Sequence, residues 1–152
     1  MNLQDILAFN FEKKNVCIIG HPASGKTHLS NLICPNHHKI HTDSYIGEGY
    51  LAALHSTLHE IHNTDKHTLV EGVICYRLLR KGVELASYYP DIIIRIEISP
   101  SKQKEIYEKE RDAKKLKYMD SFNKSDDTLF NQFLEDCPVH NLPLVINFYN
   151  NF

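Results

Sequence analysis

The sequence predicts an α/β fold: a five-stranded parallel sheet with helices on both faces, within a single domain of 152 residues. Three observations lead there. Short apolar runs alternate with helical patterns along the whole chain, which is how strand–helix–strand units read. A glycine-rich turn, Gly20–Thr27, falls between a predicted strand and a predicted helix. Two further apolar strands end in acidic residues, Asp43 and Glu71.

The elements follow in order. Leu3, Ile6 and Leu7 suit a short N-terminal helix beside the first strand, Asn15 to Ile19. His28 to Ile33 continues from the glycine-rich turn as a helix. Lys39-Ile40-His41 is a brief second strand ending at Thr42-Asp43-Ser44-Tyr45. Gly47 and Gly49 open a turn, after which Leu51, Leu54, Leu58 and Ile61 fall on one helical face. Thr68 to Glu71 is the third strand, broken by Gly72, and the following helix has Leu78 and Leu79 on its apolar side. Ile92 to Ile98 is the fourth strand. Ser99-Pro100 then caps a helix, with proline tolerated at its first position. Ser101 to Asp120 is highly charged and helical in tendency, and Ser125 and Asp126 suit a second cap. Leu129, Phe130, Phe133 and Leu134 are the expected buried face of that last helix, and Leu144 to Phe148 is the fifth strand. No internal repeat, low-complexity tract or linker interrupts the pattern.

Composition narrows the classes of function. The formal net charge is −2 and is evenly spread, which argues against a binder driven by nucleic-acid electrostatics, although a local basic groove is compatible with it. The four cysteines, Cys17, Cys34, Cys75 and Cys137, are scattered without a C-x-x-C pair. Reduced, buried thiols in a cytoplasmic protein are the expectation. No secretory leader pattern is expected at the N-terminus, and no apolar run approaches a membrane span.

Gly20-His21-Pro22-Ala23-Ser24-Gly25-Lys26-Thr27 is a complete G-x-x-x-x-G-K-[ST] phosphate-binding loop. Its glycines let the backbone curl so that successive N–H groups face a phosphate chain, and the helix behind adds its positive end. Gly20, Ala23, Ser24, Gly25, Lys26, Thr27 and His28 are the expected cradle for ATP or another nucleoside triphosphate. Lys26 would reach the β- and γ-phosphates, and the Thr27 hydroxyl would ligate Mg²⁺. His21 stands at a variable position of the loop and is expected to contribute only its backbone.

Around the loop stand further candidates, each with a plainer alternative. Asp43, at the carboxyl end of a strand where ligands of open α/β sheets bind, can take the proton of a hydroxyl or hold a water on Mg²⁺; it can equally cap a turn. Glu71 can orient the Mg²⁺ through water, or simply end a strand. Arg111, in the charged run Glu108 to Lys115, can fold over a γ-phosphate or belong to a solvated helix with ion pairs such as Glu105 with Lys109. Arg77, Arg80 and Lys81 can line the acceptor side of a cleft or form the polar face of a helix. His55, His59 and His62 share a helical face that could hold a metal, but they also border an apolar stripe where polar flanks are expected.

Taken together these residues resemble the small P-loop kinases, most closely the uridine kinase and nucleoside kinase branch. That branch has a loop like Gly20–Thr27 and a D-S-F-Y or D-D-F-Y motif ending the second strand, similar to Asp43-Ser44-Tyr45 with one residue missing. Its third strand ends in E-G, as at Glu71-Gly72, and its lid often carries an R-D pair like Arg111-Asp112. The resemblance covers most of the chain in order. It implies a three-layer P-loop NTPase fold of the kinase type, with a lid at about 101–124. By carry-over, Lys26, Asp43 and Arg111 would be catalytic, and Thr27, Asp43 and Glu71 would serve the metal. Asp43, Tyr45, Glu71, Arg77 and Arg80 would meet the acceptor.

The activity implied is ATP-dependent transfer of the γ-phosphoryl group to a hydroxyl of a nucleoside-like small molecule. The second reading is a kinase acting on nucleic acid, at a polynucleotide 5′-hydroxyl or a modified-base hydroxyl. The third is a plain ATPase or nucleotide-binding module. The sequence shows one lid arginine where the branch has several, no inserted hairpin for a base between Tyr45 and Leu69, and little after the fifth strand. Loose donor specificity is the corresponding expectation.

Overall fold

A computed structural model describes residues 1–110 and 113–150. Five strands make one sheet: β1 (Val16–Gly20), β2 (His38–His41), β3 (Thr68–Glu71), β4 (Ile92–Glu97) and β5 (Leu144–Tyr149). Their order is β2-β3-β1-β4-β5 and every pairing is parallel. Among the described residues, six α-helices lie between and around them: α1 (Leu3–Ala8), α2 (Lys26–Leu32), α3 (Tyr50–His62), α4 (Cys75–Glu84), α5 (Pro100–Glu110) and α6 (Met119–Asp136). Residues Thr42–Glu48 and Ala113–Tyr118 form 3-10 turns. No helix among the described residues is long and apolar enough to cross a membrane.

Alternation along the strands divides the core in two. Cys17, Ile19, Ile40, Val70 and Ile93 pack with Leu54 and Leu58 of α3, Leu78 and Leu79 of α4, and Phe130 and Phe133 of α6. Their neighbours Val16, Ile18, Leu69, Ile92 and Ile94 pack on the opposite face with Ile6 of α1 and Leu29 of α2. Successive side chains of a strand point to opposite faces, so a strand that is apolar at every position must be covered twice. All five residues of β1 are buried. Each fully buried isoleucine contributes about 1.5–3 kcal/mol relative to exposure, which ties both helical layers to the central strand.

The last third of the chain departs from the sequence expectation. The charged run does not make one helix to Asp120: α5 ends at Glu110, and α6 begins at Met119. Ser125 and Asp126 are not a cap but lie inside α6. Cap-type residues are tolerated mid-helix when their side chains are engaged elsewhere, and the face carrying Asp126 and Asp127 is turned toward charged groups of β4 and the Gly20–Thr27 loop. Leu134 stays 37% exposed while Phe130 and Phe133 are buried, because the stacked pair of rings sets which side of α6 meets the core.

Candidate functional site

The loop after β1 leaves the central strand at its carboxyl end, where the chain crosses from one side of the sheet to the other. Gly25 has φ +97°, a left-handed conformation that L side chains rarely adopt, and so ends the loop at the head of α2. The carbonyls of Gly20, His21, Pro22 and Ser24 are taken up by side chains. Lys26 Nζ donates to the oxygens of Gly20 (3.0 Å) and His21 (3.1 Å). Gln103 Nε2 donates to Pro22 O at 2.9 Å, and Asn150 Nδ2 donates to Ser24 O at 2.8 Å. Gln103 is itself fixed by a reciprocal amide pair with Asn123. Ala23 packs with Tyr107 and Met119, so α5 and the start of α6 clasp the outside of the loop. Ser24 Oγ is fully buried with no hydrogen-bond partner among the described residues.

Strand register brings in the acidic groups. β2 and β3 pair with His41 opposite Glu71, and β3 pairs with β1 at Glu71 opposite Ile18. Glu71 is only 2% exposed, and its Oε1 accepts from Thr27 Oγ1 at 3.2 Å and from His41 Nδ1 at 2.5 Å. Burying a carboxylate is costly without donors, and these two supply them. Asp43 stands exposed at the start of the 3-10 turn, with Oδ1 accepting the Val73 amide at 3.1 Å. Gly72 makes that approach possible: it has φ +137°, and a Cβ there would meet Thr42 Oγ1 at 1.9 Å and Asp43 Oδ1 at 2.9 Å. Lys26, Thr27, His28, Asp43, Glu71 and Lys102 are among the residues lining one cleft of about 570 Å³.

On the far side of the loop, His21 Nε2 lies 2.9 Å from Asp127 Oδ1, and Arg95 Nη2 donates to the same oxygen at 3.2 Å. The Arg95 guanidinium also sits over the Phe130 ring at 5.3 Å. Next to this cluster, burial pushes the Asp126 carboxyl up to about 6, against the pull of His21, Lys26 and Arg77. His21 therefore engages α6 with its side chain, contrary to the expectation that only its backbone matters.

The cleft gathers Ala23, Ser24, Gly25, Lys26, Thr27, His28, Asp43 and Glu71 from the sequence expectation, with Gly20 beneath Lys26. Tyr45 points elsewhere: its hydroxyl donates to the Glu60 carboxylate of α3, which also meets His38 Nε2 at 2.9 Å. Arg77 and Arg80 line a separate depression of about 350 Å³ with Leu54, Ser125 and Leu129. The Arg77 guanidinium also lies over the half-exposed Tyr50 ring at 4.4 Å. Arg111 lies outside the described residues. His55, His59 and His62 are exposed, His59 meets Asn63, and no group of three or more His, Cys, Asp or Glu side chains suited to a metal occurs among the described residues. All four cysteines are free and buried, and burial pushes Cys34 up to about 11.

Sequence reasoning missed His41, Lys102, Gln103, Asn150, Asp127 and Arg95. Of these only His41 left a signal, since it stands two residues before Asp43 at a strand end that a parallel partner must flank. The arrangement offers two lysine side chains, Lys26 and Lys102, two hydroxyls and two carboxylates around a loop most of whose carbonyls are already bonded, which suits an anionic ligand accompanied by a divalent cation. No protein-family model matches the chain, and no curated protein matches it closely enough to count as a relative.

Proposed function

We propose that this chain is a P-loop kinase that transfers the γ-phosphoryl group of ATP to a hydroxyl of a nucleoside-like small molecule. The observation that carries the reading is the single cleft in which Lys26, Thr27, Glu71 and Asp43 meet. The sheet order supports it too, since ligands of open α/β sheets bind outside the carboxyl ends of the strands where the chain reverses direction.

The residues present fit a Mg²⁺–triphosphate. The Ser24 amide donates to the His21 carbonyl, so the other backbone N–H groups of the loop and the Ser24 hydroxyl, which has no partner among the described residues, are its donors toward a ligand. Mg²⁺ keeps waters and phosphate oxygens as most of its ligands, so a few protein oxygens such as those of Thr27, Asp43 and Glu71 would be enough to hold it. When bound, the Mg²⁺–triphosphate supplies the transferable phosphoryl group and a metal charge that offsets its oxygens. Lys26 carries the positive charge that offsets the phosphates. Thr27, whose proton is directed to Glu71, offers its lone pairs to the cleft. Glu71, with Oε1 taken by Thr27 and His41, would help hold the metal through its other oxygen. Asp43 has Oδ1 on the Val73 amide, which holds the carboxylate still, and Oδ2 available to take the acceptor's hydroxyl proton.

A transfer screen with γ-labelled ATP tests this, offering nucleosides, nucleotides, and single- and double-stranded DNA side by side. Label on a nucleoside is the expected result. Label on DNA alone replaces the acceptor class with nucleic acid, and label released only as inorganic phosphate replaces the kinase with an ATPase.

A further inference from the structure

We infer that His41 is a positioning residue for Glu71, and that β2 thereby sets how tightly the cleft holds a divalent cation; the inference rests on the phosphotransferase reading. In-register residues of neighbouring parallel strands stand on the same face, and β2 and β3 place His41 opposite Glu71. The contact is therefore built by the register of the sheet and not by a loop.

An ionised carboxylate can only accept hydrogen bonds, so both groups on Oε1 donate. His41 accordingly donates an N–H from Nδ1, and Thr27 gives its hydroxyl proton to Glu71. The terminal torsion of glutamate is broad and is not fixed by rotamer preference. Two donors converging on one oxygen fix it, and they leave Oε2 in one orientation. Thr27 comes from the first turn of α2 and His41 from the end of β2, so two separate elements hold the carboxylate. Its side chain is 41% exposed while that of Glu71 is 2% exposed, so the imidazole stands at the rim and the carboxylate at the base.

The test uses the full chain, Mn²⁺ as the metal, and the non-hydrolysable triphosphate AMP-PNP. His41→Asn keeps a donor near the position of Nδ1; His41→Gln keeps polarity but carries its amide farther out. Mn²⁺ affinity of the protein–AMP-PNP complex is read by electron paramagnetic resonance, and AMP-PNP affinity is read separately in EDTA. Loss of an outer partner of a metal site typically costs about 10–100-fold in affinity. His41→Gln should weaken Mn²⁺ binding by that range, His41→Asn should hold it within a few-fold of wild type, and neither should change metal-free AMP-PNP affinity. Unchanged Mn²⁺ affinity in His41→Gln, equal losses in both variants, or a matching loss in EDTA overturns the inference alone. Wild-type protein that binds no AMP-PNP with or without metal overturns the phosphotransferase reading and the inference with it.

Discussion

Two segments line the same cleft and are held in opposite ways. In 20–27, Ala23, Ser24 and Lys26 are buried, and the carbonyls of Gly20, His21, Pro22 and Ser24 are bonded from Lys26, α5 and the residue after β5. In 42–48, Thr42 is buried but Asp43, Ser44, Gly47 and Glu48 are exposed, and the side-chain ties include the Asp43–Val73 bond, Ser44 to the His41 carbonyl, and the Tyr45–Glu60 contact. The difference teaches where precision is needed. A loop that must present backbone N–H groups has its shape fixed by every carbonyl it turns away, whereas a segment that contributes one carboxylate needs only that carboxylate held. On the proposed reading the donor half is preformed and the acceptor half is open, so acceptor choice rests on few side chains.

The largest expected effect breaks the first half. Lys26→Ala should reduce phosphoryl transfer by about 10³-fold or more and weaken triphosphate binding, because a methyl group cannot offset phosphate charge. It also releases the Gly20 carbonyl and leaves the His21 carbonyl with the Ser24 amide as its remaining donor. Transfer assays and equilibrium binding on one preparation check this; wild-type turnover would remove the loop from the chemistry. Asp43→Asn addresses the second half. It should lower the rate by about 10²–10⁴ while leaving ATP affinity nearly intact, since asparagine retains an acceptor for Val73 but cannot take a proton. A normal rate would reduce Asp43 to the cap of the β3–α4 turn.

Smaller effects sharpen the contrast. Gln103→Leu leaves the Pro22 carbonyl and the Asn123 amide without their partner and should cost about 1–3 kcal/mol of stability, read from denaturant midpoints. ATP affinity should fall with it if the clasp of α5 shapes the loop. Asp126→Asn should act in the other direction. Burial holds this carboxyl up near 6, above its ordinary 3.8, so the folded protein binds the proton more tightly than the unfolded chain. The group's contribution is full below 3.8 and is lost as pH rises through about 6. Replacing it should therefore stabilise the protein at pH 8 by about 1–2 kcal/mol after discounting for solvent screening, with the gain vanishing toward acid. Thermal melts of both proteins across pH 5 to 8, in about unit steps, check the sign.

The sequence by itself determined the alternation of strand and helix, the five strands, and the residues of the loop, because periodicity and glycine positions are local properties of the chain. It also placed Asp43 and Glu71 at strand ends. Tertiary structure decided which strands are neighbours, and so that His41 stands beside Glu71. It decided that Gln103 and Asn150, distant in sequence and unremarkable in type, complete the loop's hydrogen bonding. It set α6 to run straight through Ser125 and Asp126, turning Asp127 toward His21 and Arg95. The physical reason is the same in each case. A backbone carbonyl or a buried carboxylate requires a donor but does not specify where in the chain that donor comes from, so the pairing is fixed only when packing brings the segments together.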